Sequence, residues 1–269
     1  MEDTRRPIFI ISNYRSGSTL LRFLLDAHPQ VCCPAELRLG TLAQQLFNVA
    51  ELLTADGSRA DAWTGDRMHT RVGTVRTLID SIMADYCRRR GKERWADKSP
   101  ANCEVLHVLQ AVFPDAHYIC LHRHALDQIQ STFDLQGRWH VQPYLARYKG
   151  DVVAAAIDRW CTVTERILAL EHAQNGRSLR ITYEDFVEDS EREMERIMRF
   201  LEIASVRGLS QWAFQRPHDQ GPADWKISGT SEVVRSRVGG GRGIGTEGVP
   251  AVLQTRLIGL LAHLGYSLA

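Results

Sequence analysis

Residues 7–25 read Pro7-Ile8-Phe9-Ile10-Ile11-Ser12-Asn13-Tyr14-Arg15-Ser16-Gly17-Ser18-Thr19-Leu20-Leu21-Arg22-Phe23-Leu24-Leu25. The short apolar run Ile8 to Ile11, bounded by a polar turn, predicts a buried strand. From Ser18 to His28 the leucines at 20, 21, 24 and 25 share one stripe, which predicts a helix stopped by Pro29. Strand, tight Ser/Gly turn and helix in succession aim free backbone N–H groups and a positive helix end at one spot. Such a spot suits a phosphate or a sulfate. Ser16, Ser18 and Thr19 offer hydroxyl donors there, and Arg15 offers a planar fork for oxyanions. Taken alone, the same turn also reads as an ordinary strand-to-helix connection with Ser/Thr capping.

The loop differs from the nucleotide-kinase type. G-x-x-x-x-G-K-[ST] is absent, because Ser18 follows Gly17 where that motif has Lys. Only 4 of the 33 basic residues are lysines, and none precedes Lys92. An ATP-dependent kinase or NTPase is therefore the weaker reading.

Outward from this loop, strands and helices alternate. Helices are predicted over 41–54, 70–90, Ala101–Phe113, Ala125–Asp134, 151–174, 184–203 and Val252–Leu264, with strands at Arg94–Asp97 (weak), His117–Leu121 and Ser178–Thr182. The pattern argues for an α/β fold of three layers with a mainly parallel central sheet. Residues 214–248 read as a long Gly-rich and polar loop, a functional loop or lid within a single domain spanning 1–269.

The 269 residues are 44% hydrophobic and 24% charged, with a net charge of +1. Such a chain folds around a sizeable core, and it carries no basic field that would argue for nucleic acid. Its six cysteines show no C-x-x-C pair and no zinc spacing, so no metal is expected and a reducing compartment is the simpler reading. The apolar run at 8–11 is too short for a signal sequence or a membrane span, so the protein is read as cytoplasmic.

Arg15-Ser16-Gly17-Ser18-Thr19-Leu20-Leu21-Arg22, followed by Asp26-Ala27-His28-Pro29, resembles the 5′-phosphosulfate loop of sulfotransferases that use 3′-phosphoadenosine-5′-phosphosulfate (PAPS). The likeness is greatest to tyrosylprotein sulfotransferases and related bacterial enzymes, and polyketide-synthase sulfotransferase domains carry a similar stretch. Tyr14 stands where the family loop usually has Pro. The resemblance implies a P-loop-like fold, PAPS as sulfuryl donor and PAP as product.

It also implies roles for further residues. Arg123 ends a predicted strand and Ser131 follows eight residues later, as do the family's 3′-phosphate ligands. The tyrosylprotein enzymes have another Arg four residues beyond that Ser, where this chain has Leu135. Tyr183, in Thr182-Tyr183-Glu184-Asp185, matches a residue near the adenine, while Glu184 and Asp185 read as helix capping. Asp224-Trp225-Lys226 resembles a late motif of cytosolic sulfotransferases, and Gly239-Gly240-Gly241-Arg242 suggests a flexible lid carrying one cation. Lys226 and Arg242 are thus candidate cofactor contacts.

Sulfuryl transfer needs a base for the acceptor hydroxyl and a cation for the leaving phosphate. The interval from Arg15 to Glu36 equals that between the loop arginine and the catalytic glutamate of the tyrosylprotein enzymes, which makes Glu36 the candidate base. His28, His122 and His124 are the alternatives, because cytosolic members use histidine. Lys98, in Asp97-Lys98-Ser99-Pro100, and Arg15 are the candidate leaving-group cations. Helices over 41–90 and the aromatic, basic segment 137–150, with Trp139, Tyr144 and Tyr148, are expected to line the acceptor. A small-molecule or natural-product hydroxyl ranks first, then a peptide tyrosine, then a carrier-protein-bound hydroxyacyl chain. A PAP-binding module without catalysis is the non-enzymatic rival.

Overall fold

A computed structural model of the chain describes residues 6–54, 65–134, 140–219, 221 and 230–268. Among these, five strands form one parallel sheet: β1 (Ile8–Ser12), β2 (Val31–Cys32), β3 (Arg94–Lys98), β4 (His117–His122) and β5 (Ser178–Thr182). Their order is β2-β3-β1-β4-β5. The chain leaves β1 for the β2 edge, returns to β3, then crosses to β4 on the other side. This reversal opens a crevice beyond the carboxyl ends of the central strands. The register of β1 pairs Ser12 with Leu121 and Ile10 with Lys98, so the loops after β1, β3 and β4 emerge at one edge.

Alternation along the strands divides the core. Ile8, Ile10, Ile119, Leu121 and Ile181 face a layer made by α1 (Ser18–Ala27), α8 (Tyr183–Glu188), α9 (Ser190–Phe200) and α10 (Leu209–Gln215). Phe9, Ile11, Trp95, Tyr118 and Cys120 face the opposite layer. There lie α2 (Leu39–Thr54), α3 (Gly65–Arg89), α4 (Leu106–Val112) and the second half of α7 (Val152–Ala173). Each fully buried Ile, Leu or Phe contributes on the order of 1.5–3 kcal/mol. A third cluster joins α5 (Ala125–Phe133), the first half of α7 and α11 (Ala251–His263). The short helix α6 (Gln142–Leu145) and the turn after it bring Tyr144 and Tyr148 to that cluster.

The expected α/β fold is present, and all five strands are parallel. Several boundaries differ. β2 is too short for any periodicity to reveal. β3 reads as a weak strand because three of its five residues are charged, yet all five positions are buried. Arg94 is satisfied there by the carbonyls of Arg6 and Leu201. The helix expected over 101–113 is broken at Val105, which sits at φ −131°, ψ 34° between a 3-10 turn (Pro100–Glu104) and α4. The helices expected over 184–203 are α8 and α9, divided where Asp189 leaves the helical basin and caps α9 through Arg192 N–H.

Candidate active site at the carboxyl edge of the sheet

The turn after β1 is braced from several sides. Ser16 Oγ donates to the Asn13 carbonyl at 2.9 Å and accepts from Gln128 Nε2 at 2.9 Å. Asn13 in turn donates to the Trp160 carbonyl and accepts from Arg159. The hydroxyl of Ser16 is thus taken up inside the loop, and its amide remains the group to offer a ligand. Tyr14 stacks on His140 at 5.1 Å, with the Arg159 guanidinium 4.9 Å from its ring centre. Burial pushes the Tyr14 phenol up to about 12.

Arg15 (φ 68°) and Gly17 (φ 89°) adopt left-handed backbone conformations, which curl the turn into the start of α1. Gly17 is the N-cap residue and supplies no side-chain cap. The first amides of α1, at Ser18 and Thr19, therefore head an uncapped helix end. A Cβ on Gly17 would lie 2.3 Å from Cδ2 of Tyr183, so only glycine fits beneath that ring.

On one side of this helix end stand Lys98 and Glu36. Lys98 ends β3 and is 1% exposed; its Nζ donates to Glu36 Oε1 at 2.6 Å and to Thr19 Oγ1 at 3.3 Å. Glu36 is half-buried, 21% exposed, so its carboxylate joins a buried cation to the surface. The histidine alternatives are occupied elsewhere. His28 is buried against the Ala204 carbonyl, His122 pairs with Glu171 at 2.8 Å, and His124 bonds the Ser267 carbonyl.

On the other side lies a cluster of arginines. Arg15 Nε donates to Ser131 Oγ at 3.2 Å. Arg123, 5% exposed, donates to the carbonyls of Arg15 (3.0 Å) and Arg237 (2.7 Å). Its guanidinium lies 4.3 Å from the centre of the Tyr183 ring. Burial and the nearby charges of Arg123 and Arg237 hold the Arg15 guanidinium below its ordinary range. Asp127, 3.9 Å from Arg123, supplies partial compensation. Arg123 Nε is buried and has no hydrogen-bond partner among the described residues, an orphan donor in a cationic cluster. An unbalanced set of this kind fits a multiply charged phosphate.

The structure brings Arg15, Ser131, Arg123 and Tyr183 together, across more than 100 residues of chain. It turns the Arg15 side chain toward Ser131, while the amides of its loop remain on the Lys98 side. Arg242 is exposed and folds back against Gly239. The cation that this segment brings near Arg15 and Tyr183 is Arg237, which nothing in the sequence singled out among the arginines of the loop. The glycine run itself is tethered: the Gly239 and Gly241 amides each donate to Asp127 at 2.8 Å. Asp127 lies one helical turn beyond Arg123, a spacing that hints at its role. Glu184 accepts from the His124 amide and from Tyr266, and Asp185 shares a cap with Thr182. Lys226, Leu135 and Trp139 lie outside the described residues.

A family model described as the sulfotransferase family matches residues 7–206. The putative protein-tyrosine sulfotransferase of Caenorhabditis briggsae is 23% identical over 198 residues, 73% of this chain and 65% of that protein. Protein-tyrosine sulfotransferase A of Caenorhabditis elegans is 25% identical over 199 residues, 73% of this chain and 50% of that protein. The chain thus spans between half and two thirds of the length of these curated relatives. Among solved structures, the sulfotransferase domain from the curacin biosynthetic pathway superposes with a TM-score of 0.71 at 21% identity. That match covers 98% of this chain and 100% of the domain, a likeness of fold.

Proposed function

This chain belongs to the sulfotransferase family, and on that basis we propose that it transfers a sulfuryl group from PAPS to a hydroxyl, giving a sulfate ester and PAP. The observation that carries the reading is the Lys98–Glu36 pair, set against the uncapped start of α1. The fit to PAPS rests on that helix end, on the close approach of Tyr183 to Gly17, and on the orphan donor of Arg123.

In this proposal the amides of Ser16, Gly17, Ser18 and Thr19, with the Thr19 hydroxyl and Arg15, hold the 5′-phosphosulfate. Arg123, Ser131 and Arg237 hold the 3′-phosphate, and Tyr183 flanks the base. PAPS would supply an activated sulfuryl group, which passes to the acceptor oxygen as PAP leaves. Glu36 accepts the proton of the acceptor hydroxyl as its oxygen bonds to sulfur. Lys98 donates an N–H to the phosphate oxygen released as the S–O bond breaks, assisted by Arg15. Positioning and electrostatics supply most of such catalysis.

The acceptor placed first is a small-molecule or natural-product hydroxyl. A peptide tyrosine is the second reading, favoured by the protein-tyrosine sulfotransferases among the relatives. All six cysteines are free and buried, which supports a reducing, cytoplasmic setting. Among the described residues no helix is long and apolar enough to cross a membrane.

Titration calorimetry with PAP, adenosine 5′-phosphosulfate and ATP with magnesium tests the donor. PAP should bind, and Arg123→Ala should weaken PAP far more than the phosphosulfate that lacks a 3′-phosphate. Binding of ATP with magnesium alone would overturn the proposal in favour of a kinase. Sulfur-labelled PAPS offered to a panel of phenols, alcohols, tyrosine peptides and hydroxyacyl thioesters then identifies the acceptor. PAP binding with no label transfer to any member would favour a binding module.

A further inference from the structure

The segment that carries Glu36 has no regular structure until α2 begins at Leu39, yet the four amides after Glu36 are all engaged by one buried trio. Asp97 Oδ2 accepts from the Leu39 amide at 3.2 Å, and the Leu37 amide also bonds to the Asp97 carboxylate. Ser99 Oγ accepts from the Arg38 amide at 2.8 Å. Asn102 Oδ1 accepts from the Gly40 amide at 3.1 Å. The trio is bonded internally as well: Ser99 Oγ donates to Asp97 Oδ1, and Asn102 Nδ2 donates to Asp97 Oδ2, both at 2.8 Å. Asp97 is 1% exposed, and Ser99 and Asn102 are fully buried.

This is an N-terminal cap for α2 supplied from a strand end 58 residues away rather than from its own sequence. Arg38 is held at φ 55°, a conformation that a non-glycine residue keeps only when its surroundings impose it. Gly40 allows the approach, since a Cβ there would lie 2.8 Å from Asn102 Oδ1. A carboxylate in such a dry place is costly unless several donors meet it. Burial indeed pushes Asp97 up, and the Asn102, Ser99 and backbone donors oppose that.

Asp97 and Ser99 are the two neighbours of Lys98. The residues flanking the cation therefore fix the residues that follow the carboxylate. We infer that Asp97, with Ser99 and Asn102, is the positioning group of the active site, holding the Glu36 segment so that its carboxylate meets Lys98 and the acceptor hydroxyl. The inference rests on Glu36 being the base of the proposed transfer. Asp97 touches neither reactant and acts through Glu36.

Asp97→Asn keeps the shape but replaces one accepting oxygen by an NH₂ donor, so that a bond the carboxylate accepts is lost. Transfer of labelled sulfuryl from PAPS is measured with whichever panel hydroxyl accepts it. Asp97→Asn should lower turnover by about tenfold or more, with PAP affinity by calorimetry within about twofold of the parent. Added to Glu36→Gln, it should change turnover by less than about twofold, because a positioning group has nothing left to position. Ser99→Ala, a smaller lesion, should show the same pattern at lower amplitude if Asp97→Asn does not fold. Full turnover in Glu36→Gln would overturn the base assignment and this inference with it. A slow Glu36→Gln enzyme that Asp97→Asn or Ser99→Ala slows again by the same factor as in the parent would overturn the inference alone.

Discussion

Nζ of Lys98 lies 2.6 Å from Oε1 of Glu36, joining the carboxyl end of a central strand to a loop 62 residues earlier. The cation is buried and the carboxylate faces outward, so the pair presents its basic oxygen to the surface and keeps its positive end beside α1. Each partner is already in place before any reactant arrives, which is the condition for electrostatic catalysis without reorganisation.

Removing the proposed base should separate binding from chemistry. Glu36→Gln is expected to retain PAP affinity within about threefold and to lower turnover by roughly 10²–10⁴-fold. Lys98→Met should lose turnover and also weaken PAP, because it leaves a carboxylate facing an anion site. Calorimetry and label transfer on the same preparations check both.

Gly17→Ala should abolish PAP binding. The residue is at φ 89°, and an added Cβ would fall 2.3 Å from the Tyr183 ring. The backbone conformation alone costs about 1–2 kcal/mol in a residue with a side chain. PAP titration, with circular dichroism to confirm folding, reads the outcome; unchanged affinity would remove this turn from the phosphate site.

Arg237→Ala and Arg242→Ala should behave differently. Arg237 lies near Arg15 and Tyr183, whereas Arg242 folds back on Gly239. The first should weaken PAP by about tenfold, the second by less than about twofold. Equal losses would show that the glycine run rearranges when the donor binds.

Gly241→Ala tests the tether of that run. A Cβ there would lie 2.2 Å from the backbone of Leu126, so the segment must lift from α5 and release Asp127 and the Arg237 carbonyl. PAP affinity should fall. Proteolysis after residue 230 should quicken, since fewer contacts then hold the backbone.

Acid should destabilise the fold through His117. Its Nδ1 accepts from Arg94 Nη2 at 2.8 Å, and burial with the Arg94 charge lowers it from 6.5 to about 4. Below about pH 6.5 the unfolded chain binds a proton that the native ring refuses, so stability is full above that pH and falls as pH drops toward about 4. The loss is on the order of 1–3 kcal/mol. The difference in unfolding temperature between pH 7 and pH 4.5 should be smaller in His117→Gln than in the parent.

The sequence alone determined the strand, turn and helix at residues 8–27, because a short apolar run, a Ser/Gly turn and a helical stripe are local signals. It determined the alternating α/β order for the same reason, and its resemblance to known sulfotransferases marked Glu36, Lys98, Arg123, Ser131 and Tyr183 as candidates. It did not determine β2 or the buried character of β3, whose Arg94 and Lys98 are satisfied by groups distant in the chain. Nor could it separate Arg237 from Arg242, or show that Ser16 is turned inward. Those outcomes depend on which segments meet at the carboxyl edge of the sheet. The trio of Asp97, Ser99 and Asn102 is the clearest instance, for its partners are amides of another segment. Backbone donors look alike at every position of a sequence, and only the tertiary structure decides which buried side chain satisfies them.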